Sequence, residues 1–426
     1  MNVLVVGSGG REHTLCWKIA QSSLVDEIFC APGNGGIAQE AICVDIGSDD
    51  IGSLLKFARD NAIDLTVVGP EAPLVAGIVD AFHSEGLAVF GPDSGAALLE
   101  GSKIFAKEVM RDCSIPTARF ETFTDREKAQ AFIRDADFDL VVKADGLAAG
   151  KGVIVTSSKD EAIDAVETVM LKREFGSAGE SVVIEERLTG EEASFIALCD
   201  GEHIIPLASS QDHKPVFDND TGPNTGGMGA YSPAPVVDSV IWGKVMDEVL
   251  YPLVSGLKKK GITYRGVLYA GLMITDSRPS VLEFNVRMGD PETQPLLMRL
   301  STDIVPVLME IARGGSIKTM NLSWEDGPSV CVVVASGGYP GSYEKGKVIS
   351  GIEIADAMEG VKVFHAGTRL QGTSFVTSGG RVLGVTALGP DLPATIDKVY
   401  QAVSLISFDN AFYRKDIGFK ALKRLT

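Results

Sequence analysis

Residues 281–294 read Val281-Leu282-Glu283-Phe284-Asn285-Val286-Arg287-Met288-Gly289-Asp290-Pro291-Glu292-Thr293-Gln294. If residues 281–286 form a strand, side chains alternate between two faces, and Glu283, Asn285 and Arg287 share one of them. Carboxylate and carboxamide oxygens so placed suit Mg²⁺, which takes one or two protein oxygens and adds water and nucleotide phosphate. Arg287 would then face an anion beside the metal. An edge strand with a solvated polar face fits equally well, so other segments must decide.

The composition describes a folded protein with more than one core. The chain has 426 residues, 45% hydrophobic and 23% charged, and this length predicts about three domains. Lys and Arg number 39 against 57 Asp and Glu, a formal charge of −18, which disfavours nucleic acid as a partner. No apolar run is long enough to cross a membrane, and no basic leader precedes the strand-like residues 3–6, so we expect a cytoplasmic protein. The six cysteines lack the spacing of a disulfide frame or zinc site and are expected to be reduced.

Residues 1–100 alternate short apolar runs with helical stretches, which predicts a parallel sheet covered by helices. Three loops would leave the carboxyl ends of its strands, where such sheets bind ligands: 7–13, 32–36 and 69–74. Glu12 replaces the third glycine of a dinucleotide-binding loop, and no acid closes the second strand, so a nicotinamide site is disfavoured. The glycines either hold one phosphate through bare amides or only permit tight turns.

A glycine-rich hairpin follows a helix predicted over 103–111 and a linker at 113–116. A strand at 138–143 leads into residues 144–153 and returns as a strand at 154–156. This is not a P-loop, because three residues instead of four separate Gly146 from Gly150, and Gly152 stands where Ser or Thr would bind magnesium. With Lys143 at its root and Lys151 at its tip, the hairpin suits a flap over a triphosphate; the alternative is an ordinary long hairpin loop.

Three later segments carry weaker signals. A strand at 182–188 stops at acids, where an adenine edge and ribose hydroxyls could bind, although solvated acids at a strand end are more common. Residues 206–235 are rich in glycine and aperiodic, which predicts a functional loop. His213 beside Asp212 is interpreted as a surface hydrogen-bonded pair and not as a catalytic base. From 327 onward, strands at 329–335, 361–366, 372–377 and 381–388 and a helix at 392–404 predict a small cap or partial barrel that completes a cleft.

Taken in order, Lys103, Lys143, the flap, the acidic strand and the 283–285 strand resemble the ATP-grasp fold. The loops 7–13, 32–36 and 69–71, and above all residues 287–294, resemble the family of phosphoribosylamine–glycine ligases, also called glycinamide ribonucleotide synthetases. The likeness runs end to end, with Met288 where the family usually has Phe. The chain ends at Thr426, as expected for a single-function form of the family.

The resemblance implies a mixed α/β and α+β architecture. Residues 1–100 would form a Rossmann-like, pre-ATP-grasp domain that binds substrate. Residues 101–326 would form a two-lobed ATP-grasp domain, with 123–188 covering the nucleotide. Residues 327–426 would form a small β-rich, barrel-like cap.

The family's reaction is the ATP-dependent joining of glycine to 5-phosphoribosylamine through glycyl phosphate, in de novo purine biosynthesis. The resemblance assigns ATP to Lys103, Lys143, Gly146, Gly150, Lys151, Gly152, Glu185, Leu188 and Glu192. It assigns Mg²⁺ or Mn²⁺ to Glu283 and Asn285, and the amine substrate to Gly9, Gly10, Asn34, Gly35 and Glu71. Asp290 is expected to bind substrate. Arg287 and Asp212 are the expected catalytic residues: Arg287 would neutralise the acyl phosphate, and Asp212 with Asn224 would bind glycine's ammonium. Residues 267–272 contain no further acid, so nucleotide and water must complete the metal shell.

Other functions remain open at this point. A different ATP-grasp ligase or carboxylase would share the flap and the metal strand but not the 287–294 run. A Rossmann oxidoreductase is weakened at Glu12, and a nucleotide-sensing module would bind without turnover. We expect a monomer acting on small molecules, without nucleic acid or membrane, and with at most a transient contact to the preceding enzyme of the pathway.

Overall fold

The computed structural model describes residues 1–147, 152–172 and 176–425. The predicted flap residues Gly150 and Lys151 therefore lie outside the described residues. In the remainder, the predicted α/β and α+β architecture is confirmed.

The N-terminal region is a parallel sheet with helices on both faces. Its strands β1 (Asn2–Gly7), β2 (Glu27–Pro32), β3 (Ile42–Cys43), β4 (Leu65–Val68) and β5 (Val89–Phe90) lie in the order β3-β2-β1-β4-β5. The helices are α1 (Gly10–Ile19), α2 (Ile51–Asp60), α3 (Glu71–Val75), α4 (Ile78–Ser84) and α5 (Ser94–Gly101). Residues 3–6 are fully buried, as a strand covered on both faces requires. The three predicted ligand loops leave the carboxyl ends of β1, β2 and β4.

Residues 103–186 begin with α6 (Lys103–Asp112) and continue into an antiparallel sheet. Its strands are β6 (Phe120–Phe123), β7 (Leu140–Ala144), β8 (Val153–Val155) and β9 (Val182–Glu186), in the order β6-β9-β7-β8. Helices α7 (Arg126–Asp135) and α8 (Lys159–Val166) cover it, and wider helical turns extend α8 through Leu171. The predicted hairpin around the flap is confirmed, because β7 and β8 pair antiparallel.

The next region carries the 281–294 stretch. It contains β10 (Glu191–Cys199), β11 (Ile204–Pro206), β12 (Gln211–Asp212), β13 (Pro215–Phe217), β14 (Thr221–Asn224), β15 (Gly229–Ser232), α9 (Ser239–Lys244), α10 (Tyr251–Lys259), β16 (Gly266–Thr275), β17 (Arg278–Asn285), α11 (Thr293–Arg299) and α12 (Val305–Ala312). A four-stranded antiparallel sheet runs β11-β10-β16-β17. The register of β17 shifts at Leu282, since Val281 faces Leu272 while Glu283 faces Gly271. Such a bulge bends the strand just before its polar end.

Residues 206–235 differ from the predicted long loop. They form four short strands, and β13 pairs with β14 as a small hairpin. The other two, β12 and β15, join a sheet whose remaining strands come from the C-terminal region. The periodicity is invisible in sequence because each strand has only two to four residues.

The C-terminal region consists of β18 (Ser329–Ala335), α13 (Ile352–Asp356), β19 (Val361–His365), β20 (Thr368–Gln371), β21 (Ser374–Thr377), β22 (Arg381–Leu388), α14 (Leu392–Leu405) and α15 (Phe419–Leu425). Its main sheet runs β12-β15-β18-β22-β19, and β20 and β21 form a separate hairpin. The four predicted strands and the helix at 392–404 are confirmed within a few residues, whereas α13, β20 and α15 were not predicted. The cap is therefore built across the 206–235 segment.

The six cysteines differ in how far they are buried. Cys16, Cys30, Cys199 and Cys331 are buried, Cys113 is partly buried and Cys43 is exposed, all as free thiols. Among the described residues, the helices are too short or too polar to span a membrane.

Arg414 fastens the C-terminal segment to the 206–235 segment. Its side chain is 1% exposed and donates to Asp416 at 2.8 Å, to Asp220 at 2.9 Å and to the Pro215 carbonyl at 3.0 Å. A buried guanidinium is tolerated only when it is paired in this way. The same cluster includes Lys420, which lies 2.9 Å from Asp220.

We predict that Arg414→Met lowers the free energy of unfolding by about 3 kcal/mol, because it leaves the partly buried Asp416 without its cation and Asp220 with Lys420 alone. Urea unfolding followed by circular dichroism measures the change. The matched control is Arg59→Met, whose partner Glu85 lies at 3.3 Å with both side chains about half exposed; it should cost less than about 1 kcal/mol. Equal losses in the two variants would contradict this account.

Candidate active site

A cavity of about 330 Å³ opens at the polar end of β17, and residues of all four regions described above line it. Of the predicted site residues, it is lined by Glu71, Lys103, Lys143, Gly146, Gly152, Asp212, Glu283, Asn285, Arg287 and Asp290. Among the described residues that line it, seven are cationic and six are acidic. The cavity is thus locally cationic in a chain of formal charge −18, which favours an anionic ligand there.

Glu283, Asn285 and Arg287 share the cavity, as their alternation along the strand predicts. Arg287 Nη2 donates to Asn285 Oδ1 at 3.0 Å and fixes the orientation of the amide. Burial acts to raise the pKa of Glu283, but Lys214, Lys143 and Lys103 hold it below its ordinary value. The strand therefore presents an ionised carboxylate and an oriented amide oxygen.

Arg287 is held by two carboxylates of the N-terminal region. Its Nη2 lies 2.9 Å from Glu100, at the end of α5, and its Nε lies 3.3 Å from Glu71, at the start of α3. Glu100 also accepts the Val286 N–H at 2.7 Å. Although burial acts to lower the pKa of Arg287, Glu100 and Glu71 raise it. The guanidinium thus stays charged and joins the polar end of β17 to the first region.

Lys103, Lys107 and Lys143 line the cavity, and Glu185, which is not among the lining residues, pairs with two of them. Glu185 is 2% exposed and lies 2.5 Å from Lys107 Nζ while also pairing with Lys143. Lys143 Nζ further donates to the Leu282 carbonyl at 3.1 Å, and Lys103 Nζ donates to the Gly146 carbonyl at 2.9 Å. Burial lowers the pKa of Lys103. Glu185 thus holds two lysines in position, and its contact with adenine or ribose stays a prediction.

Asp212 and Lys214 stand on the opposite wall, on and just after β12. Lys214 Nζ lies 3.0 Å from Glu192 and 3.8 Å from Glu283, so it links this wall to the metal strand. Burial raises the pKa of Asp212 to about 7, although Lys214 opposes the shift. The carboxyl of Asp212 therefore changes charge near neutral pH.

His213 corrects the predicted surface pair with Asp212. Its imidazole is 0% exposed and its Nε2 accepts the Gly418 N–H at 3.4 Å. Burial lowers the pKa of His213 to about 3, so the ring is neutral. The side chains of a β-strand alternate, which sends Asp212 into the cavity and His213 into the C-terminal core.

The first glycine loop is partly filled by the protein itself. Glu12 accepts the Gly9 N–H at 2.6 Å, and a Cβ added at Gly7 or Gly69 would overlap the Glu12 side chain. This capping explains why α1 begins at Gly10. It also places a carboxylate on an amide that a dinucleotide phosphate would need, in agreement with the disfavoured nicotinamide site.

Asp290 lies where its own region meets the N-terminal and the C-terminal regions. It accepts from Gln294 Nε2 and from Arg381 Nη2, each at 2.8 Å. A Cβ added at Gly10 would lie 3.3 Å from its carboxylate, so the glycine loop borders the cavity here. Arg381, which begins β22, also donates to the backbone carbonyls of Asp290 at 2.6 Å and Gly226 at 2.7 Å.

Several predicted residues lie away from this lining. Gly9 and Gly10 lie beside the lining residue Asp290, and Glu192 pairs with the lining residue Lys214. Asn34 and Gly35 contact the C-terminal region at His365 and Thr368. Leu188 is partly exposed beyond the end of β9, and Asn224 is exposed at the end of β14, next to the lining residues Thr225 and Gly226.

The sequence reasoning missed five charged groups and one buried hydrogen-bonded pair. The charged groups are Arg11, Glu100, Lys107, Lys214 and Arg381. Lys107 had a local signal, since it lies four residues after Lys103 on one helix face; Arg381 had none, because a separate region supplies it. In the pair, Tyr269 O–H donates to Glu292 at 2.5 Å.

The residues present fit a divalent metal bound with a nucleotide. Glu283 and Asn285 offer two hard oxygens on one side of a strand, and Mg²⁺ commonly takes only one or two protein carboxylates or amides beside phosphate. The described residues contain no cluster of three or more His, Cys, Asp or Glu that would hold a metal alone. The donor set therefore suits a metal that arrives with phosphate.

Models of the phosphoribosylglycinamide synthetase family match the chain in three pieces. The N domain matches residues 1–100, the ATP-grasp (A) domain residues 101–293 and the C domain residues 329–420. The four-stranded sheet lies within the A-domain match, and the cavity is lined by residues of all three matched pieces.

Individual relatives and solved structures agree with this match. A phosphoribosylamine–glycine ligase of Rhodopirellula baltica is 52% identical over 99% of this chain and 98% of its own, and one of Allochromatium vinosum is 54% identical over 100% and 99%. The crystal structure of the Thermotoga maritima phosphoribosylamine–glycine ligase has a TM-score of 0.85 at 34% identity, covering 98% of this chain and 100% of that one. Biotin carboxylase of Campylobacter jejuni, with a TM-score of 0.76 at 14% identity and coverage of 97% and 93%, shares the fold alone. On this evidence of sequence and fold along its whole length, the chain belongs to the family of phosphoribosylamine–glycine ligases.

Proposed function

We propose that the chain is an ATP-dependent carbon–nitrogen ligase that joins glycine to 5-phosphoribosylamine, giving glycinamide ribonucleotide, ADP and phosphate in de novo purine biosynthesis. The observation that carries this proposal is one cavity that unites the 283–287 strand, the lysines of α6 and β7, and Glu71 of the N-terminal region. The family membership supports the same reaction.

In the first step, an oxygen of the glycine carboxylate forms a bond to the γ-phosphorus of ATP while the bond to the bridging oxygen breaks, releasing ADP. Phosphoryl transfer needs positioning and neutralisation of charge more than a protein nucleophile. We assign this to Lys103 and Lys143, with Gly146, Gly150, Lys151 and Gly152 as the predicted flap. Lys107 joins them through Glu185.

In the second step, the amine nitrogen bonds to the carbonyl carbon of glycyl phosphate, the carbon–oxygen bond breaks and inorganic phosphate leaves with the amine's proton passing to solvent or phosphate. Water must be kept out until then, because it would hydrolyse the acyl phosphate. Arg287 faces the developing charge while Glu71 and Glu100 hold it in place. Gly9, Gly10, Asn34, Gly35, Glu71 and Asp290 form the proposed subsite of the amine substrate.

Glycine is assigned to the wall opposite β17. Asp212 would accept its ammonium, with Asn224 and its neighbouring loop closing the subsite, and Glu192 and Leu188 remain assigned to the nucleotide side. A carboxylate is suited to this task only when it is ionised. The protonation state of Asp212 therefore determines how tightly glycine binds.

Glu283 and Asn285 would hold Mg²⁺ or Mn²⁺, which when bound neutralises charge on the nucleotide phosphates. The enzyme is expected to act in the cytoplasm, as a monomer, on its three small-molecule substrates. A contact with the preceding enzyme of the pathway, which would deliver the unstable amine, is also retained as a prediction.

We predict ADP release only when glycine and freshly generated phosphoribosylamine are supplied together with ATP and Mg²⁺. Asn285→Ala and Arg287→Ala should each lower kcat by about a hundredfold or more, since each removes a charge-stabilising contact. A coupled assay of ADP release measures this. Turnover with another acid and amine would refute the glycine assignment, and no turnover with any pair would point to a binding module.

We predict that Glu283→Gln raises the Mg²⁺ concentration for half-maximal activity about tenfold or more, because a neutral amide binds a hard cation more weakly than a carboxylate. Titration of Mg²⁺ at fixed ATP measures the shift. Glu344→Gln, which changes a largely exposed acid outside the cavity, is the control and should leave the curve unchanged. An unchanged curve for Glu283→Gln would contradict the metal assignment.

We predict that the KM for glycine falls as the pH rises through about 7, the pKa to which burial raises Asp212. Below that pH the folded-state carboxyl is protonated and neutral, so it loses its attraction for an ammonium group; above it the attraction is restored. Initial rates between about pH 6 and 8 measure the trend. Asp212→Asn should bind glycine weakly at every pH, and retention of the pH dependence in that variant would show that another group titrates.

A further inference from the structure

His365, the last residue of β19, is held through both of its backbone polar groups by the N-terminal region. Its N–H donates to His13 Nδ1 at 2.7 Å, and its carbonyl accepts from Asn34 Nδ2 at 3.0 Å. His13 and His365 are each 1% exposed. The bond to His13 is therefore shielded from water, where such bonds are strongest and their loss most costly, and the bond to Asn34 is partly buried.

The carboxamide of Asn34 makes all of its hydrogen bonds within the protein. Besides its bond to His365, Nδ2 donates to the Ser8 carbonyl at 2.8 Å. Its Oδ1 accepts the N–H groups of Gly36 at 2.9 Å and Ile37 at 3.0 Å. Two donors and two acceptor positions are all that an asparagine side chain offers. Asn34 thus ties both glycine loops together and has no bond left for a substrate.

The two loops are also packed directly on the C-terminal region. Gly35 N–H donates to the Thr368 carbonyl at 3.3 Å. A Cβ at Gly35 would lie 3.0 Å from the Arg369 backbone, and one at Gly36 would overlap the His365 ring. Glycine is needed here because the backbones approach too closely for any side chain. His13 lies one helical turn after the first loop, which meets the cavity at Asp290.

We propose that His13 and Asn34 are positioning residues for the amine substrate. By clamping His365, they set the spacing of loops 7–10 and 33–36, so residues of the C-terminal region that lie outside the cavity shape the subsite of the amine. This inference rests on the proposed function and sharpens it: Asn34 acts through the loops instead of contacting the substrate.

The test compares two substitutions of His13. His13→Asn places an amide oxygen where Nδ1 lies and keeps the acceptor for the His365 N–H, whereas His13→Leu fills similar space without an acceptor. We expect His13→Leu to raise the KM for phosphoribosylamine about tenfold, the effect of one lost buried hydrogen bond. The KM for ATP and kcat should change by less than about twofold, and His13→Asn should restore most of the loss.

Asn34→Asp is the second variant, so the test survives if His13→Leu does not fold. It keeps the oxygens that cap the second loop but loses both N–H donors, and it should likewise raise the KM for the amine without raising that for ATP. Tyr400→Phe is the matched control, because it removes a hydroxyl that donates to the Arg414 carbonyl at 2.8 Å within the C-terminal region. It should leave all three constants unchanged.

The outcomes separate the two proposals. Wild-type protein without turnover on the two substrates would refute the proposed ligase function. Active wild-type protein whose KM for the amine is unchanged in both His13→Leu and Asn34→Asp would refute the clamp alone. A rise in every KM together, or a rise that His13→Asn does not reverse, would show a general structural role and would also overturn it.

Discussion

The site depends on a buried guanidinium that must be paired. Arg287 stands at the end of the strand that carries Glu283 and Asn285, and its charge is balanced by Glu71 and Glu100 from the N-terminal region. Removing the guanidinium while the protein stays folded would leave two acids without their partner in a largely buried cavity, at a cost of several kcal/mol. One electrostatic constraint therefore fixes the metal strand, the loop after β4 and the end of α5 in a single arrangement.

The C-terminal region completes this arrangement without supplying a reactive group. Arg381 bridges Asp290 to the backbone of the segment that follows β14, and His365 receives the two glycine loops through its backbone. Both contacts use rigid strand ends of one sheet. Substrate loops so supported stay within the small tolerance that an acyl transfer between two bound substrates requires.

Charge is distributed unevenly in a way that suits the proposed chemistry. The chain as a whole is strongly acidic, which discourages nonspecific binding of polyanions. Inside the cavity, cations slightly outnumber acids among the described residues, and most of them are already paired. Lysines such as Lys107 and Lys143 share Glu185, so a triphosphate would meet charges that are held in position instead of flexible surface side chains.

Local patterns in the sequence were sufficient for the parallel sheet of residues 1–100, the hairpin around the flap and the alternation of Glu283, Asn285 and Arg287. These features follow from the two-residue period of a strand and from glycine, which act within a few residues. The same patterns also pointed to the loops that border the cavity. They were insufficient for residues 206–235, whose strands are too short to show a period. Two of these strands, β12 and β15, belong to a sheet that continues through β18 of the C-terminal region.

The identity of side-chain partners lay beyond those patterns. In sequence, Glu185 is an acid at a strand end, whereas in the structure it is the counter-ion of two lysines. Asn34 was predicted as a ligand, and the structure shows that it links two loops. His213 was predicted to be exposed, and it is buried. Arg381 and His365 contact the site or its loops although they lie more than 70 residues beyond the 281–294 stretch in the chain. Whether a side chain is buried, and with which group it pairs, depends on which distant segments come together. The packing of the regions against one another decides this, and no short stretch of sequence carries a signal for it.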